Sequence, residues 1–454
     1  MKKSLVAAIL VLCVVPMAFP TLVTNMNQSA LYLRLLSRNA STDIDAVYYN
    51  PAGLIRMKDG WHISLYNQTV FQKKTVVNEF PLLNNHSYDG KVNVPFYPDV
   101  FAVYKKGRFA LSFGFGPSAG GGSADYSRGL PSFEQPFSTL PALITGLGLP
   151  TTKYSVDIAF KGSSVYYGFQ LNVSCAVNDI VSAGIGVRYV SAVNTYEGSI
   201  KNVMINPAHP LLNPTAQMLP AAQVFTALGQ PGYAALVSDK SVDAEQTGST
   251  FTPLLSLNIA PLEGLNIGLK YEFKTTLEMV NNTTKDDTGL FPNGAKTHAD
   301  IPAFMSLGVE YAVLPQLRAT VSYNLFFDKF DQFAPDANLN WDGREAFVKS
   351  NSYDLGFGVE VDLTKTILVS AGYLLTRYDL AAGYQSDIAN DLASDGFGFG
   401  ARIRLCQKLD LDLGGMYVTY KEASKTFSSA IFGSYLEKYQ RSTWAFAVGL
   451  GYHF

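Results

Sequence analysis

The chain has 454 residues, of which 47% are hydrophobic and only 16% charged, against roughly 25% charged in an ordinary soluble domain. With 29 Phe, 26 Tyr and 38 Gly beside 3 Trp, the composition argues against an all-helical membrane protein, because aromatics suit pleated surfaces and Gly weakens helices. A net charge of −2 supplies no basic field for a phosphate backbone, so nucleic acid is not an expected partner.

Residues 1–24 read as a signal peptide: Lys2 and Lys3 precede an apolar run from Leu5 to Val15, and small or turn-prone residues follow through Thr24. That run is shorter than the roughly 20 residues needed to cross a bilayer as a helix, and no later apolar segment reaches that length. A membrane location therefore demands a closed barrel, the other fold that satisfies every backbone polar group in hydrocarbon. Outside the leader only Cys175 and Cys406 remain, which supports neither a disulfide framework nor a cysteine zinc site. No metal or cofactor is expected.

Residues 25–60 do not alternate. Ala30, Leu31, Leu33, Leu35 and Leu36 around Arg34 and Arg38 suggest a short helix, and the segment carries too much apolar content for a frayed tail. It is expected to fold inside a barrel as a plug, or hatch.

From Trp61 onward the chain alternates with period two. Leu265, Ile267, Leu269, Tyr271 and Phe273 alternate with Asn266, Gly268, Lys270, Glu272 and Lys274. Leu317, Ala319, Val321, Tyr323 and Leu325 alternate with Arg318, Thr320, Ser322 and Asn324. Tyr353, Leu355, Phe357, Val359 and Val361 alternate with Asp354, Gly356, Gly358, Glu360 and Asp362. Large apolar residues on one face and small or charged ones on the other reverse the logic of a soluble sandwich and match a transmembrane barrel. The charged face is expected to line a wet lumen.

Short links near Lys105–Gly107, Asn178–Ile180, Pro261–Gly264, Leu314–Gln316, Leu363–Lys365 and Gln407–Lys408 alternate with long ones. The long links run from about Lys74 to Asn93, Ser118 to Lys161, Ser199 to Gly248, Asn281 to Ala299, Asp331 to Ser350, Ala381 to Ser394 and Lys421 to Gln440. This is the rhythm of periplasmic turns and extracellular loops. The fold class is thus all-β: a transmembrane antiparallel barrel of about fourteen strands over residues 61–454, an even count of the kind outer-membrane barrels have. Both termini are then periplasmic. The final strand places Trp444, Phe446, Val448, Leu450, Tyr452 and Phe454 on one parity, and the aromatic terminus suits recognition of Phe454 by the barrel assembly machinery.

Five histidines, His62, His86, His209, His298 and His453, lie in no setting for a Ser-His-acid arrangement, so an enzyme is not expected. A general diffusion porin or an adhesin-like, surface-binding barrel are the rival readings.

The run Asn39-Ala40-Ser41-Thr42-Asp43-Ile44-Asp45-Ala46-Val47-Tyr48-Tyr49-Asn50-Pro51-Ala52-Gly53-Leu54 resembles the hatch of the FadL-type family of outer-membrane long-chain fatty-acid and hydrophobic-compound transporters. Asn50-Pro51-Ala52 coincides with that family's hatch motif, just before the first barrel strand. The likeness continues at Ile301-Pro302-Ala303 and Ser352-Tyr353-Asp354-Leu355-Gly356. Asn206-Pro207-Ala208 in a long loop shows that the tripeptide alone marks only a turn.

The resemblance implies fourteen strands, a hatch, and passive uptake of a long-chain fatty acid or other hydrophobic small molecule by a monomer embedded in outer-membrane lipid of a Gram-negative-type bacterium. Loops would capture the molecule, a pocket would hold it, and hatch movement would release it sideways. Leu140, Leu143, Ile144, Leu147, Leu149 and Phe225 are the apolar loop candidates for capture. Arg318, Lys270 and Arg188 are the lumen-parity candidates for a ligand carboxylate, and no energy source is expected.

Overall fold

The computed structural model describes residues 25–330, 344–429 and 431–454; the leader at 1–24, residues 331–343 of the loop expected at Asp331–Ser350, and residue 430 lie outside the described residues. Eighteen strand segments form one antiparallel sheet. Setting aside four short ones, Leu219–Pro220, Glu278–Asp286, Lys296–His298 and Ala423–Ser429, fourteen strands close the barrel among the described residues. They are β1 (Gly60–Asn78), β2 (Ser87–Lys106), β3 (Phe109–Tyr126), β4 (Tyr154–Ala176), β5 (Val181–Ile205), β6 (Lys240–Leu262), β7 (Leu265–Glu272), β8 (Phe304–Leu314), β9 (Leu317–Phe326), β10 (Val348–Asp362), β11 (Ile367–Leu380), β12 (Ser394–Cys406), β13 (Leu409–Tyr420) and β14 (Gly433–His453). Each pairs with its neighbours, and β14 returns to β1 with His453 opposite His62 and Glu437 opposite Asn78. Closure leaves no strand at the edge of an open sheet, which a bilayer requires.

The alternation reads directly onto the wall. Trp444, Phe446, Val448 and Leu450 are 44–48% exposed, while Ala445 and Ala447 between them are buried. Aromatics gather near the short-turn end, where Trp61 packs against Tyr104 at 4.9 Å and Tyr452 against Phe454 at 4.7 Å. A second cluster on β3 to β6 runs from Phe115 to Phe169, Tyr189 and Phe251. Such belts suit the two interfaces of a membrane.

Several strands are longer than their apolar pattern indicates. β1 and β2 reach Asn78 and Ser87, so the Lys74–Asn93 link is mostly ladder. β5 likewise runs on to Ile205. Backbone pairing continues beyond the apolar band into water, where both faces turn polar and the hydrophobic signal fades. Between β3 and β4, helices α1 (Pro131–Ser138) and α2 (Leu140–Gly146) rise from the wall, and between β5 and β6 stand α3 (Ala221–Ala227) and α4 (Pro231–Leu236). They share one apolar core.

Inside the barrel sits the amino-terminal segment. A six-residue helix, Ala30–Leu35, begins at Ser29, whose hydroxyl accepts the Tyr32 amide, and stops at Leu36 with φ +57°. A four-residue helix, Ala46–Tyr49, and a 3₁₀ turn, Pro51–Arg56, follow. The wall makes room for them with glycine: a Cβ on Gly372 would lie 1.7 Å from the Leu35 carbonyl oxygen. At this depth the lumen is packed with protein, and its charges face the hatch, where the alternation alone indicated a wet bore.

Candidate functional site

The hatch motif is fixed to the wall residue by residue. Asn50 is fully buried; its Nδ2 donates to the Ser41 carbonyl at 3.0 Å and to Asn258 Oδ1 on β6 at 2.7 Å. Ser174 on β4 donates to the Pro51 carbonyl at 2.8 Å, and Ser182 on β5 donates to the Ala52 carbonyl at 2.7 Å. The Ala52 amide donates to Ser256 Oγ at 3.0 Å. Asn258 and these serines were not singled out from sequence, although their inward parity was the available signal.

A charged network holds the rest of the hatch. Arg34 pairs with Glu360 and donates to Ser370 Oγ at 3.0 Å. Arg38 grips Asp45 through two bonds of 2.7 Å, a bidentate geometry. Arg402 bridges hatch and wall, 2.7 Å from Asp43 and 2.8 Å from Asp412. Burial alone would raise the Asp43 carboxyl, but Arg402 and Arg38 hold it well below the usual carboxylate range. Because its folded value is depressed, this group's contribution is present above the ordinary carboxylate pKa and is lost as pH falls through the folded one.

The three carboxylate candidates lie within this buried system and do not line the cavity described below. Arg188 pairs with Glu272 and donates to Gln170 Oε1. Lys270 donates to the Tyr48 carbonyl at 2.9 Å and sits 3.6 Å from Glu272, over the Tyr48 ring. Arg318 lies 3.2 Å from Glu360 and 3.0 Å from Asp362. Of the loop candidates, Leu140, Leu143, Ile144 and Phe225 form the shared core of the helical loops, Leu149 packs half-buried against it, and Leu147 is exposed. Leu211 and Leu212 at a loop tip are 87% and 84% exposed.

Between the hatch and the loops lies a cavity of about 410 Å³, in the roughly 300–1,000 Å³ range of small-molecule sites. Met26 and Tyr32 of the hatch line it on one side, and Ile388 to Leu392 of the inward-folded β11–β12 loop on the other. Val92, Val94 and Tyr97 on β2 and Gly120, Gly122 and Ala124 on β3 lead it to the wall.

There the ladder is broken. β2 pairs with β3 at Lys91 and Val92, then not again until Val100. β3 pulls towards β4 through register shifts at Pro117/Ala119 and Gly120/Gly122. Gly120 and Gly122 have φ of +89° and +77°, a left-handed backbone that L side chains rarely adopt, so the glycine run makes the bend possible. The first described residues of the hatch fasten this break. Asn25 N donates to the Ser118 carbonyl at 3.1 Å, while Asn25 Nδ2 and Gln28 Nε2 donate to the Pro117 carbonyl at 3.0 and 2.7 Å. Tyr97 Oη donates to the same carbonyl at 3.1 Å. Apolar alternation alone puts residues from Ser118 onward in a loop; the strand runs to Tyr126, and its Gly-Gly-Gly run is the sequence signal for the bend.

No family model and no curated protein matches the chain. Solved structures do. The crystal structure of a Pseudomonas aeruginosa FadL homologue matches with TM-score 0.67 at 15% identity, covering 96% of this chain and 100% of that one. The Pseudomonas putida toluene transporter TodX matches at 0.57 and 14%, covering 91% and 95%. The Ralstonia pickettii toluene transporter TbuX matches at 0.53 and 14%, covering 91% and 94%. At such identities, over nearly the full length of both chains, what this protein shares with them is its fold: the fourteen-stranded, hatch-plugged barrel of the FadL type.

Proposed function

We propose that this chain is an outer-membrane protein for passive uptake of hydrophobic small molecules, long-chain fatty acids among them, and that its substrate leaves sideways through the break between β2 and β3. One observation carries the reading: an internal cavity runs to a gap in an otherwise continuous wall. A general porin needs an axial bore, and here the packed hatch occupies it. The structural relatives, named as transporters or a homologue of one, agree with this choice.

The route begins at the loops, whose exposed Leu147, Leu211, Leu212 and Leu236 offer apolar surface to a substrate arriving from water. Both chain ends are periplasmic in this orientation. Burying a methylene yields roughly 0.8 kcal/mol, so a ~16-carbon chain gains on the order of 12 kcal/mol before ordering costs. Release therefore needs a second protein state that binds less well. The bonding pattern supports movement of one part of the hatch. Residues 30–57 are anchored by ion pairs and the Asn50 turn, whereas Asn25 and Gln28 are held at the break by neutral hydrogen bonds, each worth only about 1 kcal/mol net. A substrate entering the cavity beside Met26 can displace the strap at Asn25–Gln28 while the body of the hatch stays in place.

Two experiments test this. Val94→Trp places a bulky ring where the cavity meets the gap; uptake of labelled long-chain fatty acid into cells should fall at least tenfold, with heat-modifiable barrel mobility unchanged. Full uptake by that variant would refute a lateral exit here. Asn50→Ala leaves the Ser41 carbonyl without its donor and Asn258 Oδ1 with Asn266 as its remaining one, a cost of about 1–3 kcal/mol to hatch docking. Slower uptake with faster amide exchange in residues 39–54 is the expected result; unchanged exchange would show that the motif does not hold the hatch.

A further inference from the structure

The cavity is too polar for a plain hydrocarbon. Lys74 on β1 and Arg441 on β14 line it and stand directly opposite each other in register, two basic side chains on adjacent strands. The Lys74 ammonium makes no hydrogen bond or ion pair among the described residues. Arg441 Nη2 donates to the carbonyl and the Oδ1 of Asn390 at 2.6 and 3.0 Å, while its buried Nε has no partner. Neither side chain forms an ion pair within 4 Å among the described residues, unlike the paired cations beside the hatch, although Asp328, Asp354 and Asp391 line the same cavity and Asp391 lies close enough to act on Lys74.

Two amide oxygens add a second requirement. Gln68 is fully buried on the same strand as Lys74, six residues deeper, and its Nε2 donates to the Asn27 carbonyl at 2.6 Å and to Asp99 at 3.1 Å. That orientation commits its Oε1 as an acceptor, and Oε1 has no donor. Asn194 on β5, four strands round the wall from β1, is 6% exposed; its Nδ2 faces Gln246 Oε1 at 3.4 Å and its Oδ1 is likewise without a donor. Both residues line the cavity, and Leu374 and Val418 supply apolar surface among the polar groups. A buried acceptor without a donor is costly, and a molecule carrying hydroxyls removes that cost where an alkyl chain does not.

We infer that the ligand of this cavity is an anionic amphiphile with hydroxyl groups along its apolar body, its acid at Lys74 and Arg441 and its hydroxyls at Gln68 and Asn194. The inference rests on the uptake reading above and narrows its substrate class. Binding of the acid competes with Asn390 for Arg441, so ligand entry also loosens the loop that covers the cavity.

The test is equilibrium binding to the purified full-length protein in detergent, with octadecanoate, 12-hydroxyoctadecanoate, 9,10-dihydroxyoctadecanoate and octadecan-1-ol as probes. At least one hydroxy acid should bind tenfold or more tightly than octadecanoate. Asn194→Leu combined with Gln68→Leu should abolish that preference while retaining octadecanoate binding. Arg441→Gln with Lys74→Gln should weaken all three acids about tenfold and leave octadecan-1-ol unchanged. Equal affinity for the three acids in the unmodified protein, or a preference that survives the leucine pair, overturns the inference and leaves the uptake reading standing. Absence of binding by every probe overturns both.

Discussion

Gly372→Ala is expected to unseat the hatch. The added methyl carbon would stand 1.7 Å from the Leu35 carbonyl oxygen and 2.3 Å from its carbonyl carbon, both backbone atoms that no rotamer change can move. Either β11 or the Ala30–Leu35 helix must shift, and overpacking of this kind costs about 1–3 kcal/mol, occasionally more. The helix end at Leu36 already has a left-handed backbone, which leaves little freedom to absorb the displacement. Planar-bilayer recording should show a steady ion conductance that the unmodified protein lacks, and protease should cut residues 30–57 in intact membranes. Gly451→Ala is the control, since its methyl would meet nothing within 4 Å. If both variants conduct equally little, the close approach of hatch and wall does not hold the plug.

Arg34→Met should have a comparable effect by a different route. Its guanidinium is almost completely buried, paired with Glu360 and 3.8 Å from Asp412. Methionine fills similar space but leaves buried carboxylates short of one positive charge. Breaking one side of such a pair costs about 3–5 kcal/mol. Arg318 and Arg402 still face Glu360 and Asp412, which places the expected loss at the lower end of that range. Hydrogen exchange in residues 30–36 should accelerate by two orders of magnitude or more. Adding Glu360→Gln should restore part of the protection, because the stranded charge is then gone. A double variant no better protected than Arg34→Met would show that the loss comes from packing and not from charge.

How much of this was legible beforehand differs between wall and site. The Trp444–Phe454 strand declared its faces because a membrane strand must place large apolar groups outward at every second residue. The same rule located Lys270, Arg318 and Arg188 on the inner face, yet could not tell which inward cation meets a carboxylate and which meets a cavity. That depends on height along the bore: Glu272, Glu360 and Asp362 stand at the level of the hatch network, whereas Lys74 and Arg441 stand above it. The loop leucines illustrate the same gap. Leu140, Leu143, Ile144 and Phe225 are apolar enough for capture, but two helical loops rising together bury them against one another.

The amino-acid order alone determined the number of strands, their inside and outside, and the presence of a non-alternating segment carrying Asn50-Pro51-Ala52, since these follow from local periodicity and turn chemistry. Tertiary structure decided where β2 and β3 part, what fastens that break, and which polar atoms are left without partners in the cavity. Those features depend on contacts between residues far apart in the chain, such as Asn25 with Ser118 or Lys74 beside Arg441, and distance along a strand pattern carries no record of them.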